Sequence, residues 1–162
     1  MTDAGLEELA RLKNLASLHL GPKATDGGLK HLARMKALTR LNLSSTELSD
    51  EGMKHLAGLK HLSELVLDCT KITDAGLKHL AKLKNLSSLH LSNTAVTDKG
   101  LKRLAGLTKL TKLDLDHTGV TEAGLEDLAG MKGLESPCLR GTKTTKEGRA
   151  SLRKALPRCL VR

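Results

Sequence analysis

Leucine pairs two residues apart recur along the chain: Leu18/Leu20, Leu41/Leu43, Leu65/Leu67, Leu89/Leu91 and Leu113/Leu115. The first step is 23 residues and the others are 24. Polar residues alternate with them, as in Ser88-Leu89-His90-Leu91-Ser92. That period of two predicts an extended segment with the leucines turned inward. Between the pairs the period changes. Leu77, Leu80 and Leu83, with Ala81, fall at helical spacing and face inward, leaving Lys78, His79, Lys82 and Lys84 outside. Each helix is preceded by a Ser or Thr, three residues before a Gly, from Thr2/Gly5 to Thr145/Gly148. The hydroxyl is placed to cap the helix start, and the acid that follows, Asp74 in this copy, suits the helix dipole.

Seven copies in register make the chain a tandem array of one unit. Gly76 and its six counterparts sit where glycine costs a helix about 1 kcal/mol, so the recurrence predicts a close contact with a neighbouring coil. A further column, Thr46, Thr70, Thr94, Thr118 and Thr142, lies in the turns after the strands. Its hydroxyls are expected to bond to the backbone of their own and adjacent repeats. Stacked units give a parallel sheet on one side and helices on the other. Strands lie about 4.8 Å apart and helices about 8–10 Å apart, so the array bends with its sheet on the inside.

The pattern L-x-x-L-x-L-x-x-T-x-V-T-D-x-G-L-x-x-L resembles the leucine-rich repeat family over essentially all 162 residues. It looks closest to ribonuclease-inhibitor-like and F-box-associated helical repeats in their bacterial form. The expected fold is therefore α/β: a right-handed horseshoe segment of about seven 24-residue repeats, forming one domain over residues 1–162. The resemblance also implies protein–protein recognition. Repeat one, Thr2 to Ala24, is one residue short and has Gly21-Pro22-Lys23 in place of the Ser/Thr turn. In repeat six Pro137 replaces a strand leucine, so the sheet is expected to weaken at or just after it. Residues 145–162 are expected to form an atypical cap, with Arg149 for the first core leucine and a helix stopped by Pro157; Cys159-Leu160-Val161 offer a final strand. On this reading the C-terminus is a natural end and the uncapped N-terminus is not. A monomer is expected, with Leu6, Leu9 and Leu12 leaving end-to-end pairing open.

Composition changes the picture in three places. Phe, Tyr and Trp are absent, so leucine makes most of the core. The formal net charge is +9, which raises anionic partners as an alternative. Lys30, Lys54, Lys78 and Lys102 form one outer column; His31, His55, His79 and Arg103 form the next. They give either a basic convex stripe able to bind an anion or nucleic acid, or an ordinary solvated helix face. The three cysteines, Cys69, Cys138 and Cys159, lack C-x-x-C spacing. They read as reduced thiols of a cytoplasmic protein, with a Cys138–Cys159 bridge left open. No apolar run is long enough to span a membrane.

The expected partner-binding surface is the polar side of the sheet: Arg40 and Asn42; Glu64, Val66 and Asp68; Ser88, His90 and Ser92; Lys112, Asp114 and Asp116. It is balanced to slightly acidic, so phosphate backbones are not drawn to it, and without aromatics it cannot stack bases. A protein partner is expected there and nucleic acid is not. The bland alternative is a set of cross-strand polar pairs such as Arg40 beside Glu64. Ser88, His90, Ser92 and Asp114 are the one set resembling a catalytic group. Strand spacing puts Ser88 about 6.6 Å from His90, and an open sheet supplies no oxyanion hole. No catalysis, cofactor or metal is expected. A scaffold with no partner of its own stays as a third reading.

Overall fold

Each leucine pair becomes one strand and the start of the turn leaving it. In the computed structural model, which describes residues 2–161, the strands are three residues each: β1 Ser17–His19, β2 Arg40–Asn42, β3 Glu64–Val66, β4 Ser88–His90, β5 Lys112–Asp114 and β6 Ser136–Cys138. They pair in sequence order, all parallel, as a six-stranded sheet. Met1 and Arg162, the two ends of the expected domain, lie outside the described residues. The helices are α1 Asp3–Leu9, α2 Asp26–Leu32, α3 Asp50–Met53, α4 Asp74–Leu80, α5 Asp98–Leu104, α6 Glu122–Gly130 and α7 Lys146–Ala155. α3 is shorter than its neighbours and is followed by a separate 3-10 turn, Leu56–Gly58. Each helix packs on the next one along the stack.

The core is a continuous file of leucine. Leu41, Leu65, Leu89 and Leu113 stack at the centres of the strands, with Leu43, Leu67, Leu91 and Leu115 behind them, all essentially inaccessible. Leu77, Leu80 and Leu83 are fully buried as the helical spacing requires, while Ala81 is only half-buried. The end-to-end edge is smaller than the sequence suggests. Leu6 is buried, Leu9 is partly buried against the core, and Leu12 alone of the three is open, at 52% exposure.

The bonds between repeats are not those expected. The hydroxyls of Thr46, Thr70, Thr94, Thr118 and Thr142 each donate to a carbonyl three residues earlier in their own turn, at 2.6–2.7 Å. They close their own turns and do not link neighbours. Two other ladders do. In the first, the acid opening each helix reaches the capping residue of the next. The Thr97 N–H and Oγ–H donate to Asp74 Oδ1 and Oδ2 at 2.8 and 2.6 Å. Asp3, Asp26, Asp50 and Asp98 hold Thr25, Ser49, Thr73 and Thr121 in the same way. Glu122 accepts from the Thr145 N–H in the last copy. In the second, the hydroxyls of Thr39, Ser63, Ser87 and Thr111 donate to the previous repeat's backbone just before each strand.

The first ladder explains the repeating glycine. A Cβ at Gly100 would lie 2.4 Å from Asp74 Oδ1, and the same collision recurs at Gly28, Gly52, Gly76 and Gly124. The side chain that excludes it is the preceding repeat's carboxylate.

At the far end Pro137 sits in the middle of the edge strand β6, paired with Leu113. Ser136 N–H donates back to Thr111 O. Alternate residues of a parallel strand donate to opposite sides, so the N–H that proline lacks is one that would have pointed away from β5. Cys159-Leu160-Val161 do not form a strand. One bond, from Leu160 N–H to Glu135 O, continues the 24-residue register, and Val161 is buried in the column of strand leucines. The Arg149 guanidinium, standing where other repeats have leucine, donates to Thr144 Oγ1 and O. No disulfide occurs among the described residues, so the Cys138–Cys159 bridge is not formed.

Candidate functional site

Because strand residues alternate in direction, burying Leu41, Leu65, Leu89 and Leu113 forces their neighbours onto the open side of the sheet. The register aligns them in rows. Arg40, Glu64, Ser88 and Lys112 form one row, and Asn42, Val66, His90 and Asp114 form the next. Arg40 and Lys112 are exposed; the other six are half-buried. Ser44, Asp68, Ser92 and Asp116 make a third row where the strands turn.

That third row departs from expectation. Asp116 is buried, at 3% exposure. Its two carboxylate oxygens accept from the Arg140 backbone N–H and Nε–H at 2.8 and 2.7 Å. Asp68 likewise accepts the Ser92 N–H at 2.8 Å, and Asn42 accepts the N–H and hydroxyl of Ser44. A carboxylate here secures the turn of the following repeat, so Asp116 belongs to the scaffold of the face and not to its free surface. Burial pushes the Asp68 carboxyl above the ordinary aspartate value. The Ser92 bond and His90 oppose this, while Asp114 and Asp116 add to it.

Ser88 and His90 are closer than strand spacing implies. A hydrogen bond of 3.1 Å joins Ser88 Oγ and His90 Nε2, because both side chains lean along the strand. His90 Nδ1 stands 3.9 Å from Asp114 Oδ2 on the adjacent strand. Serine, imidazole and carboxylate are therefore brought together. The Ser88 N–H is spent on Ser63 O, as strand amides are, and acyl transfer needs free donors where an oxyanion forms. The trio fixes the imidazole without supplying that pocket. Asp114, Asp116 and Cys138 place one ligand atom each within 4.8 Å of one another. The Arg140 guanidinium already neutralises Asp116 there.

The face extends beyond the residues expected. Ser17 and His19 on β1 continue the two rows at one end, and Ser136 and Cys138 on β6 at the other. Arg140 continues the third row, and counting 24 residues on from Lys112, Asp114 and Asp116 finds the last three. Two shallow depressions lie on the sheet. One, of about 320 Å³, is lined by Ser17, His19, Arg40, Asn42, Glu64 and Val66. The other, of about 260 Å³, is lined by His90, Lys112, Asp114, Ser136 and Cys138. No described helix is long and apolar enough to cross a membrane.

Two family models, both described as leucine-rich repeats, match residues 36–57 and 60–120. No curated protein matches the sequence. Several solved structures share the fold. The internalin inlF of Listeria monocytogenes is 20% identical, with a TM-score of 0.74 over 96% of this chain and 49% of its own. Internalin C2 of the same organism is 25% identical, with a TM-score of 0.73 over 100% of this chain and 84% of its own. A leucine-rich repeat protein of Leptospira interrogans is 21% identical, with a TM-score of 0.56 over 96% of this chain and 50% of its own. The chain thus spans about half the length of two of these three relatives.

Proposed function

The chain belongs to the leucine-rich repeat family, and from that premise we propose that it is a non-catalytic protein-interaction module whose partner seats on the open face of the sheet. One observation carries the reading. Across β2 to β5 the ladder sets the face residues in fixed rows, and Asn42, Asp68, His90 and Asp114 are held further by side-chain bonds along their strands and to turns. Such a surface is ordered before a partner arrives, so little conformational entropy is lost on binding. The depressions in it are shallow, which suits a protein surface better than a small molecule.

Charge narrows the partner. Glu64, Asp68 and Asp114 flank His90 at the centre, while Arg40 beside Glu64 and Lys112 beside Ser88 are the more exposed. The centre fits a cationic side chain of the partner. The face has no Tyr or Trp, the residues that dominate interface hot spots, so the partner supplies the aromatic anchors.

The test is affinity capture from the source organism's lysate with the wild-type chain and with a Glu64→Lys/Asp114→Lys variant. The captured protein is then purified and titrated against both. Asp116 is left intact because it holds Arg140. The expected result is a partner that binds the wild type and loses at least about tenfold in affinity to the variant, about 1.4 kcal/mol. Equal affinities would remove this face from consideration.

A further inference from the structure

We propose that the opposite side of the solenoid, the outer helix halves and helix-to-strand turns of repeats two to five, binds the phosphate backbone of duplex nucleic acid without reading its sequence. The inference starts from where the carboxylates go. Residues 30–37, 54–61, 78–85 and 102–109 contain three, two, three and three Lys or Arg, eleven in all, and no Asp or Glu. All eleven are exposed. The aspartates that neutralise these repeats on paper lie at the other end of each helix. Asp26, Asp50, Asp74 and Asp98 are each bound to the next repeat's Ser or Thr. Among the described residues, Glu51 alone reaches back to the track, to Lys54 at 2.7 Å. The inter-repeat ladder thus separates the chain's charge in space and leaves the basic track, Lys54 apart, uncompensated.

Several observations agree with this separation. Burial first, then Lys78 and Lys82, holds the His79 imidazole below its ordinary value. Lys36 and Lys84 donate to Gly58 O and Gly106 O at the ends of neighbouring helical segments. An ammonium has three donors, so each keeps two for a ligand. At one end of the track a cleft of about 490 Å³ opens between repeats one and two, walled by Arg11, Lys13, Arg34 and Lys36 with Glu7. The track is bracketed by acids, Glu7 and Glu8 at one end and Glu126 and Asp127 at the other. A ligand is therefore confined to about four rows of cations, spaced roughly 5–10 Å apart between the strand and helix spacings.

The form of the track selects among polyanions. Among the described residues the exposed large apolar ones are Leu12 and Leu160, both outside the track, so the track itself has no apolar face to enter a bilayer as an amphipathic surface helix does. Without aromatic side chains it offers no platform for unstacked bases. A duplex presents its phosphates outward and needs neither.

The experiment is fluorescence anisotropy with an arbitrary duplex of about 20 base pairs at a series of salt concentrations. With about four phosphate contacts, log K should fall against log salt with a slope near −4. Affinity should drop roughly 100-fold between about 50 and 200 mM salt. A Lys60→Glu/Lys82→Glu/Lys109→Glu variant should lose at least about tenfold in affinity and flatten that slope by about three. A charge-matched Lys23→Glu/Lys99→Glu/Lys143→Glu variant, altered on the other rim and helix starts, should keep the slope. Circular dichroism verifies that both variants are folded. The Glu64→Lys/Asp114→Lys variant should bind duplex no more weakly than wild type, so this proposal and the sheet-face reading fail separately. Equal losses in the two triple variants would overturn the track in favour of diffuse net charge. So would an absent salt slope, or binding to phosphatidylserine vesicles or a sulfated polysaccharide without binding to duplex.

Discussion

The ladder between helix starts makes a quantitative prediction at Asp74. Its carboxylate accepts the Thr97 N–H and Oγ–H at 2.8 and 2.6 Å in a half-buried setting. A hydrogen bond to an ionised group contributes about 1.5–3 kcal/mol. Water can reach the vacated donors, so the lower bound for both is halved, to about 1.5 kcal/mol. Asp74→Ala also removes a first-turn acid worth about 0.3–1 kcal/mol and gains about 0.5 kcal/mol in helix propensity. The net expectation is a loss of about 1.5–2 kcal/mol, or a Tm roughly 4–8 °C lower for a chain of this size.

Gly100 sharpens the test. A Cβ there meets Asp74 Oδ1 at 2.4 Å and Leu77 Cδ1 at 2.8 Å. Gly100→Ala should cost about 1–2 kcal/mol net, overpacking outweighing the propensity gain. In the Asp74→Ala background the oxygen is gone and only the flexible end of Leu77 must move. The double variant should then be at least about 1 kcal/mol more stable than the sum of the singles predicts. Urea melts followed by circular dichroism measure all three. Position matters as well, because coupling in a solenoid is nearest-neighbour. Asp74→Ala cuts the centre of the stack and should broaden or split the transition. Asp3→Ala, which frees Thr25 at one end, should trim it. A cost below about 0.5 kcal/mol at Asp74, or strict additivity with Gly100→Ala, would refute the ladder as the coupling element.

Two further predictions concern the turns after the strands. Cys69 holds a left-handed backbone at φ 55°, in a column with Ser45, Asn93, His117 and Gly141. The Cβ there costs about 1–2 kcal/mol, part of which glycine's greater unfolded-state freedom offsets, so Cys69→Gly should stabilise by roughly 0.5–1 kcal/mol in a urea melt. Asp68 has its carboxyl raised by burial, so the folded state holds the proton more tightly than the unfolded chain does. Its ionisation therefore costs stability, a cost absent below the unfolded value of about 3.9 and complete above the raised folded value. Asp68→Asn keeps an acceptor for the Ser92 N–H. It should raise Tm near neutral pH and leave it unchanged near pH 3; an equal gain at both would assign the effect to something other than charge.

The fold was legible because its signals lie within single repeats. Leu89 and Leu91 alternate with Ser88 and His90, and a period of two places them without reference to other parts of the chain. The open side of the sheet followed from the same alternation, and so did most of the residues that line it. What the sequence left hidden are bonds that cross from one repeat to the next. Asp74 looks like a dipole partner for its own helix, and Thr94 looks like a ladder residue. The first bridges repeats and the second does not. Local pattern cannot separate these cases, since both residues recur every 24 positions. Asp116 was misjudged for the same reason: its partner, Arg140, is one period away. The contact between Ser88 and His90 was missed differently, because strand spacing fixes Cα atoms and not the lean of side chains.

These cross-repeat bonds also decide the distribution of charge. Had the first-turn aspartates faced outward along their helices, at i to i+4 from Lys78 and Lys102, they would have neutralised the outer surface pair by pair. Turned instead onto Thr97 and Thr121, they stabilise the stack and leave the cations bare. The carboxylates of the sheet face are partly drawn inward as well, by the Ser92 and Arg140 amides. One kind of requirement, satisfying a backbone amide of the next repeat at the helix start or at the turn after the strand, thus makes the two sides of the solenoid electrostatically unlike. The two sets of bonds are separate, so a substitution in the helix-start ladder bears on the outer surface and leaves Asp68 and Asp116 held by the turns. Asp74→Ala removes the carboxylate instead of turning it outward, so the variant should be less stable yet bind duplex with a salt slope no shallower than that of the wild type; a shallower slope in the folded variant would refute this account of the outer charge.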